Sequence, residues 1–168
     1  MPTLMESDLT FCFPDDWQAT KFDGWSFYRN QFQQACGGAK AIDLLAFAPD
    51  DGLWAIEVKD YRRHRRTKTI ELSEEVACKV RDSLAALVAA KINANDNDEQ
   101  QLASRALTVK KIRVVLHLEQ PEKHSKLFPR AIDPAQIQQK LKQLIKAVDP
   151  HPLVLESARM RCVAWTVC

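Results

Sequence analysis

Two charges interrupt the apolar run Trp54-Ala55-Ile56-Glu57-Val58-Lys59-Asp60. Strand side chains alternate, so Glu57 and Lys59 share one face while Trp54, Ile56 and Val58 take the other. Upstream, Asp43 is the one charge within Ile42–Phe47. The segments Ala41–Ala48 and Leu53–Tyr61 flank Pro49-Asp50-Asp51-Gly52, a hairpin signal whose glycine suits the left-handed position of a three-residue loop. With Asp50-Asp51-Gly52 as the loop, Pro49 pairs with Leu53, Asp43 lies opposite Lys59 and Leu45 opposite Glu57. Asp43 and Glu57 are then diagonal neighbours on one face, with Cβ atoms no more than about 7–8 Å apart. A slip of one residue would turn Asp43 to the other face. Two carboxylates at that separation suit a hard divalent cation, Mg²⁺ or Mn²⁺. Such an ion lowers the pKa of a bound water and offsets charge on a phosphoryl transition state. A neighbouring lysine orients the water or meets the phosphate. The plainer alternative is a cross-strand ion pair of Lys59 with Asp43 or Glu57, worth about 0–1 kcal/mol on a wetted face.

The elements that must position these residues are legible in outline. Leu9–Pro14 reads as a short strand. Trp25, Tyr28, Phe32 and Ala35 recur at helical spacing between Asp23 and Gly37-Gly38, which predicts a helix over 24–36. After the hairpin, Leu72, Val76, Val80, Leu84, Leu87 and Val88 form an apolar stripe, with Ser73 as its cap and Glu74 and Glu75 suited to the positive end of the helix dipole. The polar segment 93–101, NANDNDEQQ, predicts a mobile loop. The alternation through 111–119 predicts a strand. Asp133-Pro134 opens a helix with the stripe Ile137, Leu141, Leu144, Ile145 and Val148. Arg159–Val167 reads as a last strand. The order strand, helix, hairpin, helix, strand, helix, strand is α/β with a mixed sheet.

Asp43, thirteen intervening residues and then Glu57-Val58-Lys59 resemble the PD-(D/E)XK nuclease superfamily, specifically over 41–61 and more loosely over 23–118. The resemblance implies a restriction-endonuclease-like fold and a Mg²⁺- or Mn²⁺-dependent hydrolase of nucleic-acid phosphodiesters. It makes Asp43 and Glu57 the metal ligands and Lys59 the catalytic lysine. The literal Pro49-Asp50 lies in the turn and is set aside. Relatives often add an acid on the first helix, for which Asp23 is the nearest residue, although capping, the usual role of an Asp at such a position, explains it without chemistry and is the preferred reading. Some place a Lys on the second helix. Lys79, on the edge of the stripe, either faces the site in this way or snorkels to solvent.

Arg62, Arg63, Arg65, Arg66 and Lys68 follow the charged strand directly and form a candidate footprint for a phosphate backbone. The whole chain carries 24 Lys and Arg against 22 Asp and Glu, a net +2, so any binding charge has to be local. DNA is the expected nucleic acid, met by a homodimer or by a subunit of a DNA-processing complex. In a second reading the same fold has a weak or idle site and acts as a binding or interaction subunit. A length of 168 residues and a hydrophobic fraction of 46% fit one globular domain. The apolar run Leu84–Ala90 is too short to span a bilayer. The start, MPTLMESDLTF, lacks a basic stretch followed by an apolar one, so a cytoplasmic protein is expected. Cys12, Cys36, Cys78, Cys162 and Cys168 show no metal-ligand spacing and read as reduced thiols. His64, His117, His124 and His151 form no pattern and are expected on the surface or in packing.

Overall fold

The computed structural model describes residues 1–127 and 130–168. The strands are β1 (Thr3–Glu6), β2 (Leu9–Cys12), β3 (Gln18–Lys21), β4 (Leu44–Phe47), β5 (Gly52–Asp60), β6 (Lys111–Glu119), β7 (Leu153–Leu155) and β8 (Thr166–Val167). The α-helices are α1 (Leu72–Asn93), α2 (Asn97–Ala106) and α3 (Pro134–Ile145). Five strands make a mixed sheet in the order β3-β4-β5-β6-β7, and β1, β2 and β8 make a smaller one. Antiparallel pairing joins β3, β4 and β5, whereas β6 and β7 continue parallel to β5. The α/β class with a mixed sheet is as expected.

Each sheet face buries its own set of residues. Leu45, Phe47, Leu53, Ala55, Val114 and Leu116 pack against Val76, Val80 and Leu87 of α1 and Leu141 of α3. Leu44, Ala46, Ile56, Val58 and Val115 pack instead on Leu9, Phe11, Phe13 and Trp165 beneath the small sheet. Glu57 belongs by parity to the helix-covered face, with Ala55 and Leu53, so its carboxylate points under α1.

The hairpin register differs from expectation by two residues. Leu44 faces Ile56 and Phe47 faces Leu53, and Ala48 N donates to the Gly52 carbonyl at 2.9 Å. The turn is therefore Pro49-Asp50-Asp51. Asp51, at φ 58°, takes the left-handed place expected of the glycine, a region that Asp tolerates better than most residues. A Cβ at Gly52 would lie 2.9 Å from Asp50 Oδ1, a contact that the exposed Asp50 side chain relieves by turning away. A shift of two preserves the face, so Asp43 still joins Glu57 and Lys59.

Four other segments depart from the sequence reading. The helix expected at 24–36 is irregular, with a π-helical stretch at Tyr28–Phe32 and a 3-10 turn at Ala35–Gly37 in which Cys36 is left-handed. Ser73 does not cap α1: Glu71 holds the cap position, and the buried Ser73 Oγ has no partner. The loop expected at 93–101 is largely α2, because Asp96 accepts from Asp98 N and Glu99 N and starts a helix. Its buried residues, Ala103 and Ala106, are too small to announce a stripe. The strand expected at 159–167 survives only as β8. The three-residue β7 and the short β1 and β3 lack the length for periodicity to register.

Candidate functional site: a charge network beneath α1

Asp43 leads into β4, and its Oδ2 accepts from Val58 N at 2.7 Å, which pins the carboxylate against β5. Ile42 N donates to Ser83 Oγ of α1 at 2.9 Å, so the same junction is tied to the covering helix. Lys79 projects from α1 between the two acids, with Nζ 3.2 Å from Asp43 Oδ1 and 2.6 Å from Glu57 Oε1. Lys59 Nζ lies 2.8 Å from that same Glu57 oxygen and 3.3 Å from Glu75 Oε1. Glu75 also receives Arg66 at 2.7 Å and Lys68 at 2.6 Å. Three carboxylates and four cations thus form one chain of contacts from Asp43 to Lys68.

The structure brings Asp43, Glu57, Lys59 and Lys79 together, and Lys79 faces the site rather than solvent. Glu75 is the member that the sequence reading missed. Its place at the start of α1 suits the helix dipole, yet it is fully buried. Its spacing of one turn before Lys79 was the available signal, since residues four apart share a helix face. Asp23 does not act as the expected cap. Glu99 of α2 instead accepts from Ser26 N at 2.6 Å and Phe27 N at 3.0 Å. Asp23 Oδ1 is left buried without a partner, and burial, followed by the nearby Asp43 charge, pushes its carboxyl up.

Of the five basic residues after β5, two are committed locally. Arg62 grips Asp60 at 2.6 Å, and Arg66 also donates to the Ile70 carbonyl and the Tyr61 hydroxyl. Lys68 shares Glu75 but is half exposed. Arg63 and Arg65 reach the surface. A second buried charge group ends β6, where Glu119 Oε1 lies 2.9 Å from His117 Nε2 and accepts from Ser157 Oγ at 2.5 Å. His117 also meets the Phe11 ring edge-on at 5.1 Å, a packing role as expected.

A divalent ion on Asp43 and Glu57 is tested by the atoms left over. Asp43 Oδ1 and Oδ2 and Glu57 Oε1 are all engaged, while Glu57 Oε2 is buried without a partner. Among the described residues no group of three or more His, Cys, Asp and Glu is arranged to hold a metal. The Lys79 ammonium stands between the two acids where such an ion was expected, so the pair accommodates one only with Lys79 withdrawn.

Electrostatics set an expected pH response. Burial, and then the Asp43 charge, push the Glu57 carboxyl up to about 7 against the pull of Lys79 and Lys59. Burial works against the Glu75 charge too, but hydrogen bonds from Lys68 and Arg66 prevail and hold it down at about 2. The folded state therefore binds the Glu57 proton more tightly than the unfolded chain does. Its contribution is complete below the ordinary Glu pKa and is lost as pH rises towards 7. Glu75 acts in the opposite sense, adding stability as pH rises from about 2 through the ordinary Glu range. Thermal melts are expected to show stability falling by roughly 1–3 kcal/mol between pH 5 and 7.5. Glu57→Gln should flatten this slope, and an unchanged slope would place the titrating group elsewhere.

No protein-family model matches the chain, and no solved structure matches it. The chain is 33% identical over 168 residues to a cysteine--tRNA ligase of Neisseria meningitidis serogroup A, an alignment taking in 82% of this chain and 24% of the ligase. The chain spans about a quarter of the length of that relative. This similarity overturns the expected nuclease: it runs to a ligase, not to a hydrolase of phosphodiester bonds. No helix among the described residues is long and apolar enough to cross a membrane.

Proposed function

We propose that this chain is an RNA-engaging module related to part of a cysteine--tRNA ligase, with tRNA as its ligand. The observation that carries the reading is the 33% identity over 82% of the chain. The named substrate of that relative is an RNA, so tRNA replaces DNA as the expected nucleic acid. The exposed cations after β5 support the reading, because a chain of net charge +2 needs concentrated positive charge to hold a polyanion. The buried network serves in this reading as the anchor of that basic loop: Glu75 fixes Arg66 and Lys68, and Glu57 joins them through Lys59 to the sheet. As the finer description of the fold we propose the restriction-endonuclease-like arrangement, supported by the hairpin, the covering helix α1 and the parallel strand β6 in that order.

The test is binding of the purified chain to labelled tRNA, with duplex DNA of equal charge as competitor. Binding should weaken about 50–150-fold between 50 and 200 mM salt, as roughly four phosphate contacts require. Preference for tRNA over the duplex is expected. Equal competition by DNA, or no binding at 50 mM salt, would refute the proposal.

A further inference from the structure

The basic loop after β5 does not stand alone. Arg65 donates through Nε and Nη2 to the Leu127 carbonyl at 3.1 and 2.9 Å, and through Nη2 to that of Lys126. This joins the loop leaving β5 to the loop leaving β6. The two strands are parallel neighbours, so both loops emerge at the same end of the sheet. The second loop adds Lys123 and Lys126, both exposed.

Pairing separates the cations that are spent from those that are free to bind. Among the described residues Arg65, Lys123 and Lys126 have no carboxylate partner, while Arg62 and Arg66 do. Arg63 meets Asp8 at 3.1 Å, but their side chains are 78% and 62% exposed, and such a pair is easily exchanged for another anion. Glu122 is the one acid within 61–70 and 120–132. The Arg65 guanidinium is held by neutral carbonyls, which fix its position and leave its charge unneutralised.

We infer that Arg63, Arg65, Lys123 and Lys126 form one two-loop surface that grips the phosphate backbone of a folded RNA. The inference rests on the RNA-engaging reading and deepens it by naming the contact surface. Its new content is the second loop, which sequence alone did not connect to the first. Leu127, 76% exposed beside these cations, makes an anionic membrane the other surface to test.

The experiment measures anisotropy of a labelled tRNA across a salt series, with wild type, Lys123→Ala/Lys126→Ala and the quadruple variant that adds Arg63→Ala and Arg65→Ala. The log-log salt slope should flatten by about 1.5 units in the double variant and about three in the quadruple, near 0.7–0.9 for each lost phosphate contact. The double variant changes only exposed side chains, so its thermal melt should match wild type. An unchanged slope in the double variant, with wild-type tRNA binding intact, overturns the inference and leaves the reading standing. No tRNA binding by wild type overturns both. Binding to phosphatidylserine vesicles but not to tRNA would assign the surface to a membrane and likewise overturn it.

Discussion

Lys79→Met is expected to lower unfolding free energy by about 3–5 kcal/mol, the scale seen when one partner of a buried ion pair is removed. Lys79 is the only ammonium within contact distance of both Asp43 and Glu57 among the described residues. Methionine keeps most of the length and packing of the side chain, so the loss would be electrostatic. Without Lys79, Glu57 keeps Lys59, but Asp43 keeps only the backbone donor at Val58. The double variant Lys79→Met/Asp43→Asn should recover part of the loss, because the carboxylate left uncompensated is removed together with the lysine. Urea unfolding of the wild type, the two single variants and the double variant measures the coupling. A loss below about 1 kcal/mol for Lys79→Met would mean that water already screens the pair.

A divalent ion gives the same variant a second readout. Removing the ammonium leaves two carboxylates facing each other and an unpartnered Glu57 Oε2, which suits a hard cation. Mn²⁺ is expected to raise the melting temperature of Lys79→Met and to leave wild type unmoved. Equal shifts in both proteins would show that Lys79 does not compete for that position.

The face shared by Asp43, Glu57 and Lys59 was legible because strand alternation is insensitive to a register error of two residues. The expected loop 50–52 became 49–51, yet parity held. Lys79 was visible only as a lysine on the edge of a stripe; its aim depends on where α1 crosses the sheet, which no local pattern encodes. Glu75 was hidden for the same reason, because an acid in the first turn of a helix has a sufficient local explanation in the dipole. Asp23 shows the reverse case. Its local explanation, capping, was displaced by Glu99 from a helix more than seventy residues further along the chain. That helix was itself obscured, since alanines are its buried residues and Asn and Asp dominate its start. The nuclease reading rested on residue types at a spacing. The geometry brings those residues together, but similarity over most of the chain leads to a ligase, and a charged constellation alone does not choose between structural and chemical uses.

Glu75→Gln should reveal how the buried network controls the basic loop. Glu75 accepts contacts from Lys59, Arg66 and Lys68, and glutamine keeps the shape but removes the charge that holds them. Stability is expected to fall by about 2–4 kcal/mol, since Lys59 and Arg66 are largely buried and lose their compensation. The loop 62–68 should exchange its amide hydrogens faster than wild type, while β5 and β6 remain protected. RNA binding should change in the opposite direction. Lys68, half exposed already, and Arg66 become available to phosphate, so the salt slope should steepen by about one to two units. Weaker stability together with a steeper slope is a combination that simple loss of fold does not produce, because an unfolded loop would dilute charge rather than present it. A slope that flattens in Glu75→Gln would show that Glu75 holds these cations in their binding geometry instead of withholding them.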